Sequence, residues 1–212
     1  MVALNVFRLV AAAATVAAIA YQYGERLDRP GFSSGNFFSF FTIQSNVIAI
    51  VALGALAITP VARRTRTFDA LRGAAVLYIA ITGVVFALLL SGQEETLQTT
   101  APWVNFVLHQ AIPVVLVADY LIEPPRHRLS LAIALAWLAY PLAWFAYTLI
   151  RGASVDWYPY PFVDVDRHGY DGVALNAVLL AVAMAGGAAL VAWIGNRRGA
   201  GGAQPAPAAP AT

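Results

Sequence analysis

Six apolar stretches of about 20 residues divide this chain, and their length constrains the fold more than any other feature. A helix of about 20 residues crosses a hydrocarbon core of about 30 Å. A helix also satisfies its own backbone hydrogen bonds, which lipid cannot do. The sequence therefore predicts an all-α, polytopic membrane protein with six transmembrane helices, at residues 4–23, 37–58, 71–91, 102–121, 129–150 and 173–195.

The composition excludes several other classes of protein. Hydrophobic residues make up 60% of the chain and charged residues only 11%, whereas about 25% of the residues in soluble domains are charged. The net charge of +2 comes from scattered arginines, which argues against a nucleic-acid partner. The chain has no cysteine, so disulfides and thiol catalysis are excluded. The expected partners are membrane lipids.

The two ends of the chain need separate interpretation. Residues 11–18 are rich in Ala and could belong to a signal peptide, but no basic cluster precedes them and the apolar run is long. We therefore interpret this stretch as the first helix. Residues 199–212 are Gly, Ala, Pro and little else, which predicts a disordered tail after a transmembrane domain at residues 1–198.

The arginines predict the orientation in the membrane. If successive helices alternate in direction, one side receives Arg8, Arg63, Arg64, Arg66, Arg72, Arg126, Arg128, Arg197 and Arg198. The other side receives Arg26, Arg29, Arg151 and Arg167. Cytoplasmic loops carry an excess of basic residues. Both termini are therefore predicted to be cytoplasmic, in a multi-pass protein of the cell membrane, and the prediction is unchanged if Arg8 lies inside the first helix.

The second apolar stretch begins with a cluster of polar side chains. Residues 36–46 read Asn-Phe-Phe-Ser-Phe-Phe-Thr-Ile-Gln-Ser-Asn. Ser39, Thr42, Ser45 and Asn46 recur at spacings of three and four, so they share one face of a helix. Hydroxyl groups in membrane helices commonly bond to a carbonyl one turn earlier or link neighbouring helices. The stripe therefore indicates either a reactive site or helix packing.

His109, in the fourth apolar stretch, is the most informative single residue. An ionisable side chain inside a membrane helix marks a functional site by default, although a hydrogen bond between helices is the alternative. Thr42 and His109 lie six and seven residues inside their predicted helices, which corresponds to about 9 Å and 10 Å at 1.5 Å per residue. They are therefore expected at one level. Asn105 shares the face of His109 and could orient its ring.

A hydroxyl and an imidazole at one depth predict nucleophilic chemistry. Thr42 would attack an ester carbonyl, and His109 would act as the base and later activate water. The candidates for supporting or oxyanion-binding roles are Ser39, Gln44, Ser45, Asn46 and Asn105. A site at this depth favours a hydrophobic lipid ester as the substrate. No metal or cofactor is expected, because His127 and His168 lack metal-ligand spacing with another histidine.

Two further features carry weaker predictions. Residues 156–170 are dense in aromatics and prolines, which indicates either a stiff cap over the outer face or a plain anchor at the membrane interface. Asp119, near the end of the fourth apolar stretch, is expected to pair with Arg126 or with a helix end.

Three stretches carry a resemblance to a known family. They are Phe-Phe-Thr-Ile-Gln-Ser-Asn with Thr42, Asn-Phe-Val-Leu-His-Gln with His109, and Trp-Tyr-Pro-Tyr-Pro-Phe at 157–162. Over residues 4–195 the chain resembles the family of androgen-induced protein and androgen-dependent TFPI-regulating protein, and more closely its bacterial six-helix relatives. Animal members are membrane threonine hydrolases that cleave fatty acid esters of hydroxy fatty acids. The resemblance implies that Thr42 and His109 are the catalytic pair.

Other classes of function stay open at this point. The aromatic loop and the Gln-Ser-Asn after Thr42 look like features of the bacterial branch, so the substrate of the animal proteins need not transfer. A non-enzymatic lipid-binding or assembly protein would use the same polar stripe for helix packing. A small transporter is a third possibility, but the sequence shows no clear internal repeat, and Pro113 and Pro141 alone are a weak sign of broken helices.

Overall fold

The computed structural model describes residues 2–92 and 101–199, and over these ranges the chain is helical with no strand. Six segments are long and apolar enough to cross a membrane, which confirms the predicted all-α architecture. We call them spans one to six: Val2–Leu27, Phe41–Ile58, Arg66–Leu90, Pro102–Ile122, Leu131–Val155 and Val165–Gly199. The predicted disordered tail lies outside the described residues, apart from Gly199.

Several spans consist of more than one helical segment. A π-helical turn, Phe86–Leu90, continues the helix Arg66–Val85, and a second one, Val107–Ala111, joins the helices Pro102–Phe106 and Ile112–Ile122. Gly169, with φ of 65°, kinks the last helix near its start. The α-helices are α1 Val2–Leu27, α2 Ser34–Ser39, α3 Phe41–Ile58, α4 Arg66–Val85, α5 Pro102–Phe106, α6 Ile112–Ile122, α7 Leu131–Ala136, α8 Ala139–Val155 and α9 Val165–Gly199.

Span three lies at the centre of the bundle. α1 packs along α3, α3 packs along α4, and α4 also contacts α6 and α9. Apolar side chains of four spans meet in the middle of the bundle, among them Leu53, Ile79 and Leu116, which are fully buried. Lipid-facing positions on α9 are apolar as well, for example Leu179 and Val182. This pattern is expected where lipid rather than water surrounds the helices.

The prediction of an unbroken second helix at 37–58 was wrong. Phe40 is extended, with φ of −64° and ψ of 127°, so it separates α2 from α3. Its ring is buried, and the rings of Trp157 and Tyr160 pack edge-on against it with centroids 5.5 Å away. Thr42 is therefore the second residue of α3, where backbone N–H groups have no acceptor within the helix.

A proline explains the interruption of span five. Pro141 has no N–H to donate to the carbonyl of Trp137, four residues earlier. The Tyr78 hydroxyl of span three donates to that carbonyl instead, at 2.6 Å. The missing backbone hydrogen bond thus becomes a link between spans three and five.

A buried ionic network closes the end of the bundle away from Thr42. Asp119 accepts from Arg8 at 2.6 Å and from Arg72 at 2.8 Å. Glu123 accepts from Arg8 and from Arg64. Burial alone would raise the pKa of Glu123, but these two guanidinium groups outweigh it and hold the pKa below its ordinary value. The network ties together span one, the segment between spans two and three, span three and span four.

The expected pairing of Asp119 with Arg126 was wrong. The backbone N–H of Arg126 donates to Asp69 at 3.0 Å, and its guanidinium group donates to the carbonyl of Val61 at 2.8 Å. Arg8 lies within α1 and is only 1% exposed. It is thus a structural partner of Asp119 and not part of a basic loop.

Gly73 allows span three to approach Trp137 closely. A Cβ at Gly73 would lie 2.6 Å from two atoms of the buried Trp137 ring. Gly73→Ala is therefore expected to lower the free energy of unfolding by about 1–3 kcal/mol through overpacking, as measured by denaturation in detergent. Gly54→Ala is the matched control, because a Cβ there meets nothing within 4 Å and Ala favours a helix. Equal destabilisation by both changes would contradict the packing explanation.

Candidate functional site

An apolar cavity of about 100 Å³ lies between spans two, three, five and six. Aromatic and aliphatic side chains form most of its wall, and the hydroxyl-bearing residues in it are Thr42, Thr82 and Tyr160. Leu142 also lines the cavity and is 55% exposed, so this part of the cavity wall also belongs to the lipid-facing surface of the bundle. The arrangement suits an apolar chain that carries a polar group near these hydroxyls.

Thr42 meets the cavity at the start of α3. Its backbone N–H donates to the hydroxyl oxygen of Tyr160 at 3.0 Å, and the two hydroxyl oxygens lie 3.2 Å apart. Phe40, the residue before α3, makes no side-chain hydrogen bond to the helix. Tyr160 therefore takes the place of an N-terminal cap for α3.

The aromatic loop between spans five and six holds Tyr160 in position. The Tyr160 ring is 4% exposed and stacks on Phe162, with centroids 5.2 Å apart. The carbonyl of Phe162 accepts from the Asn176 side chain at 2.9 Å, which fixes the loop to α9. Burial raises the pKa of Tyr160 to about 12, so its hydroxyl keeps its proton at neutral pH. This packing favours a cap over a plain interfacial anchor.

Ser45 and Asn46 connect span two to its neighbours. The Ser45 hydroxyl donates to the carbonyl of Thr42 at 3.1 Å and lies 2.8 Å from the Thr82 hydroxyl of span three. The Asn46 amide donates to the carbonyl of Thr42 at 2.9 Å and to that of Leu108 at 3.1 Å. Spans two and four are therefore in contact at Leu108, the residue before His109.

His109 lies in the π-helical turn that precedes Pro113. Because Pro113 has no N–H for the carbonyl four residues earlier, a regular α-helical bond to His109 is excluded there. The His109 ring is 3% exposed and stacks on Phe86, with centroids 4.1 Å apart. Its Nδ1 lies 3.3 Å from the backbone carbonyl of Asn105. A carbonyl only accepts, so this bond places a proton on Nδ1, and the neutral form of the ring then has its lone pair on Nε2.

Thr42 and His109 are on adjacent spans, but the Thr42 hydroxyl has a different hydrogen-bond partner. Within residues 2–92 and 101–199, the Thr42 hydroxyl is hydrogen-bonded to Tyr160 and not to His109. The described residues that line the cavity include Thr42 but neither His109 nor Asn105. Proton transfer from Thr42 to His109 therefore requires the two side chains to approach each other.

The remaining predicted site residues have structural contacts. The Ser39 hydroxyl lies 2.9 Å from that of Tyr147. The Gln44 amide donates to the carbonyl of Phe38 at 2.8 Å and accepts from the Tyr140 hydroxyl. These bonds attach α2 and α3 to α8. Asn105 contacts the His109 ring through its backbone carbonyl rather than through its side chain.

No family model, curated protein or solved structure matches this chain. The resemblance to membrane threonine hydrolases therefore stays a prediction. In the part of the chain that the structure describes, no group of three or more His, Asp or Glu side chains is placed to hold a metal ion. What the site can do follows from the cavity and from the groups in its wall.

The sequence did not indicate that Tyr160 and Thr82 line the cavity. Tyr160 stands between Pro159 and Pro161 in a loop whose composition is typical of the membrane interface. That composition alone does not reveal which helix the loop covers. Thr82 is one hydroxyl in a long apolar stretch, and its partner Ser45 lies 37 residues earlier.

Proposed function

We propose that the protein is an intramembrane hydrolase of lipid esters, with Thr42 as the nucleophile and His109 as the base. The observation that carries this proposal is the position of Thr42, a hydroxyl in the wall of an apolar cavity whose lining includes the exposed Leu142. An ester group with the first part of an apolar chain matches such a cavity of about 100 Å³, because the chain is apolar and the carbonyl needs polar partners. Fatty acid esters of hydroxy fatty acids, which the resemblance implies, belong to this class.

The proposed reaction has two steps that share one base. The Thr42 oxygen attacks the ester carbonyl carbon while its proton passes to Nε2 of His109. The bond to the alkoxy oxygen then breaks, and this oxygen takes the proton from His109. Water next attacks the acyl group on Thr42 and gives a proton to His109. The bond between the acyl carbon and the Thr42 oxygen then breaks. This oxygen takes the proton from His109, which leaves the acid and the free threonine.

The first step requires Thr42 and His109 to come together. His109 and the Phe86 ring stacked on it both lie in π-helical turns. Such turns are rare and are frequent at functional sites. Pro113 removes the backbone hydrogen bond to the His109 carbonyl, so a rearrangement within the turn at Val107–Ala111 would move the His109 side chain without breaking that bond, and we assign the approach to this element.

Lipid binding without hydrolysis is the second candidate. The hydrogen bond between Thr42 and Tyr160 favours it, because a hydroxyl without a base in contact is a weak nucleophile. In this case the cavity would bind an acyl chain, and the hydroxyls in its wall would bind the polar group of the lipid.

We also propose that both termini are cytoplasmic and that the protein resides in the cell membrane. With Arg8 buried inside α1, the side that holds the termini still receives eight of the remaining arginines, and the opposite side receives Arg26, Arg29, Arg151 and Arg167. An excess of basic residues marks the cytoplasmic side.

Turnover of a long-chain fluorogenic ester by the purified protein in detergent tests the proposed hydrolysis. Wild type is expected to release the fluorophore, and His109→Ala is expected to lower kcat by about 10²–10⁴-fold, because general base catalysis is lost. His168→Ala is the matched control, since His168 is exposed on a different element, and its kcat should equal that of wild type.

A photoreactive fatty ester separates the two candidates. Cross-linking to peptides that line the cavity, together with no turnover by wild type, would select lipid binding over hydrolysis. Turnover that survives in His109→Ala would remove His109 from the mechanism.

A further inference from the structure

The Tyr160 hydroxyl has one hydrogen, which it can donate to the Thr42 hydroxyl or to another acceptor. Its oxygen accepts the backbone N–H of Thr42 at 3.0 Å, so its own hydrogen points elsewhere. The Thr42 hydroxyl, at 3.2 Å, is its partner in the structure. Tyr160 also lines the cavity, so a ligand carbonyl placed beside Thr42 would be within reach of the same hydrogen.

The start of α3 strengthens this donor. The N-terminal end of a helix carries a partial positive charge that favours negative charge nearby. α3 has 18 residues, and the break at Phe40 places its first turn at the cavity wall, where Thr42 lies. The Thr42 N–H polarises the Tyr160 hydroxyl, because hydrogen bonds in a chain reinforce one another.

We propose that Tyr160 donates a hydrogen bond to the carbonyl oxygen of the bound ester and stabilises the negative charge that develops there. The catalytic part of this inference rests on the proposed hydrolysis, whereas the contact with a carbonyl does not. Either hydroxyl can be the donor in the bond between Thr42 and Tyr160, and when Tyr160 donates to the ester, the Thr42 oxygen keeps its lone pairs for attack. Tyr160 transfers no proton in this role.

A purely structural role for Tyr160 makes different predictions. As a cap of α3, its oxygen would matter only as an acceptor for the Thr42 N–H. Removal of the hydroxyl would then lower the stability of the protein and leave the vibration of a bound carbonyl unchanged. The decisive measurement is therefore the vibrational frequency of the ligand carbonyl.

Infrared spectroscopy of a long-chain methyl ketone with an isotope-labelled carbonyl tests the contact directly. This ligand cannot be hydrolysed, so the result does not depend on turnover. In wild type the bound carbonyl band is expected at lower wavenumber than in hydrocarbon, and in Tyr160→Phe it should return to the hydrocarbon value. Tyr140→Phe is the matched control, because the Tyr140 hydroxyl bonds to Gln44, and it should retain the wild-type band.

A variant that keeps the Tyr160 oxygen as the cap of α3 tests the contact without the risk of misfolding. Incorporation of 3-fluorotyrosine at position 160 preserves the oxygen and the ring but makes the hydroxyl a stronger donor. The carbonyl band is then expected to shift further to lower wavenumber. One band position shared by wild type, Tyr160→Phe and the fluorinated protein would overturn the proposed contact.

Kinetics test the catalytic part of the inference. Loss of one donor to a developing oxyanion lowers kcat by about 10²–10³-fold, and KM should hardly change, because the interaction strengthens only in the transition state. An unchanged kcat in folded Tyr160→Phe would overturn the catalytic role. If wild type shows no turnover, the proposed hydrolysis fails, and the infrared result alone decides the contact.

Discussion

Thr42→Ala is expected to lower kcat for lipid-ester hydrolysis by at least about 10³-fold, because the nucleophile is removed and only binding and electrostatic effects remain. Thr42→Ser should retain part of the activity, since it keeps the attacking oxygen at the start of α3. Initial rates in detergent, with cross-linking of a photoreactive ester measured in parallel, distinguish lost chemistry from lost binding. Cross-linking should persist in both variants.

Thr82→Ala provides the control within the same cavity. Thr82 also lines the wall, but its hydroxyl donates to the carbonyl of Tyr78 and contacts Ser45. Its removal is expected to leave kcat close to that of wild type. Equal losses in Thr42→Ala and Thr82→Ala would show that the hydroxyls only shape the cavity, and wild-type activity in Thr42→Ala would exclude Thr42 as the nucleophile.

The second large effect is expected at Asp119. Asp119→Ala should lower the free energy of unfolding by about 3–5 kcal/mol, because removal of one partner leaves buried charges uncompensated. Here two guanidinium groups lose this partner, those of Arg8 and Arg72, both of which are at least 97% buried. Denaturation in detergent and the yield of folded protein measure the effect.

Two comparisons test whether charge is the cause. Arg167→Ala removes the ion pair with Asp164, in which the Arg167 side chain is 62% exposed, and surface pairs contribute only about 0–1 kcal/mol. Replacement of Arg8, Arg72 and Asp119 together by apolar residues should lower the free energy of unfolding less than Asp119→Ala does, because it leaves fewer unpaired charges. A triple variant less stable than Asp119→Ala would contradict the electrostatic explanation.

The six spans could be predicted because lipid imposes a length and a composition on every helix that crosses it. Span four was predicted at 102–121 and is observed at Pro102–Ile122. Span one extends to Leu27 instead of 23, because its final turn is polar and carries no apolar signal. Hydropathy therefore locates spans well and locates their ends poorly.

The break at Phe40 had no local signal. The surrounding residues include no Gly or Pro at positions 36–46, and those are the residues that usually interrupt a helix. The extended backbone is accompanied by ring contacts to Trp157 and Tyr160, more than 100 residues later in the chain. A tertiary contact thus overrides the local preference for helix.

The candidate site was predictable only in part for the same reason. Thr42 could be singled out as a polar residue in an apolar segment, and the structure places it in a cavity wall. Its hydroxyl partner, Tyr160, is 118 positions away. The partners of Asp119 are similarly distant, since Arg8 lies 111 positions earlier. Spacing along a helix reveals shared faces but not which elements meet.

The site of attachment of a fluorophosphonate probe shows whether Thr42 is the nucleophile. An activated hydroxyl displaces fluoride from this probe and stays bound to its phosphorus, so mass spectrometry of the digested protein can locate it. Attachment at Thr42 is expected in wild type and in Thr82→Ala, and no attachment is expected in folded Thr42→Ala or His109→Ala. Absence of labelling in wild type, or labelling that persists in Thr42→Ala, would contradict the assignment of Thr42 as the nucleophile.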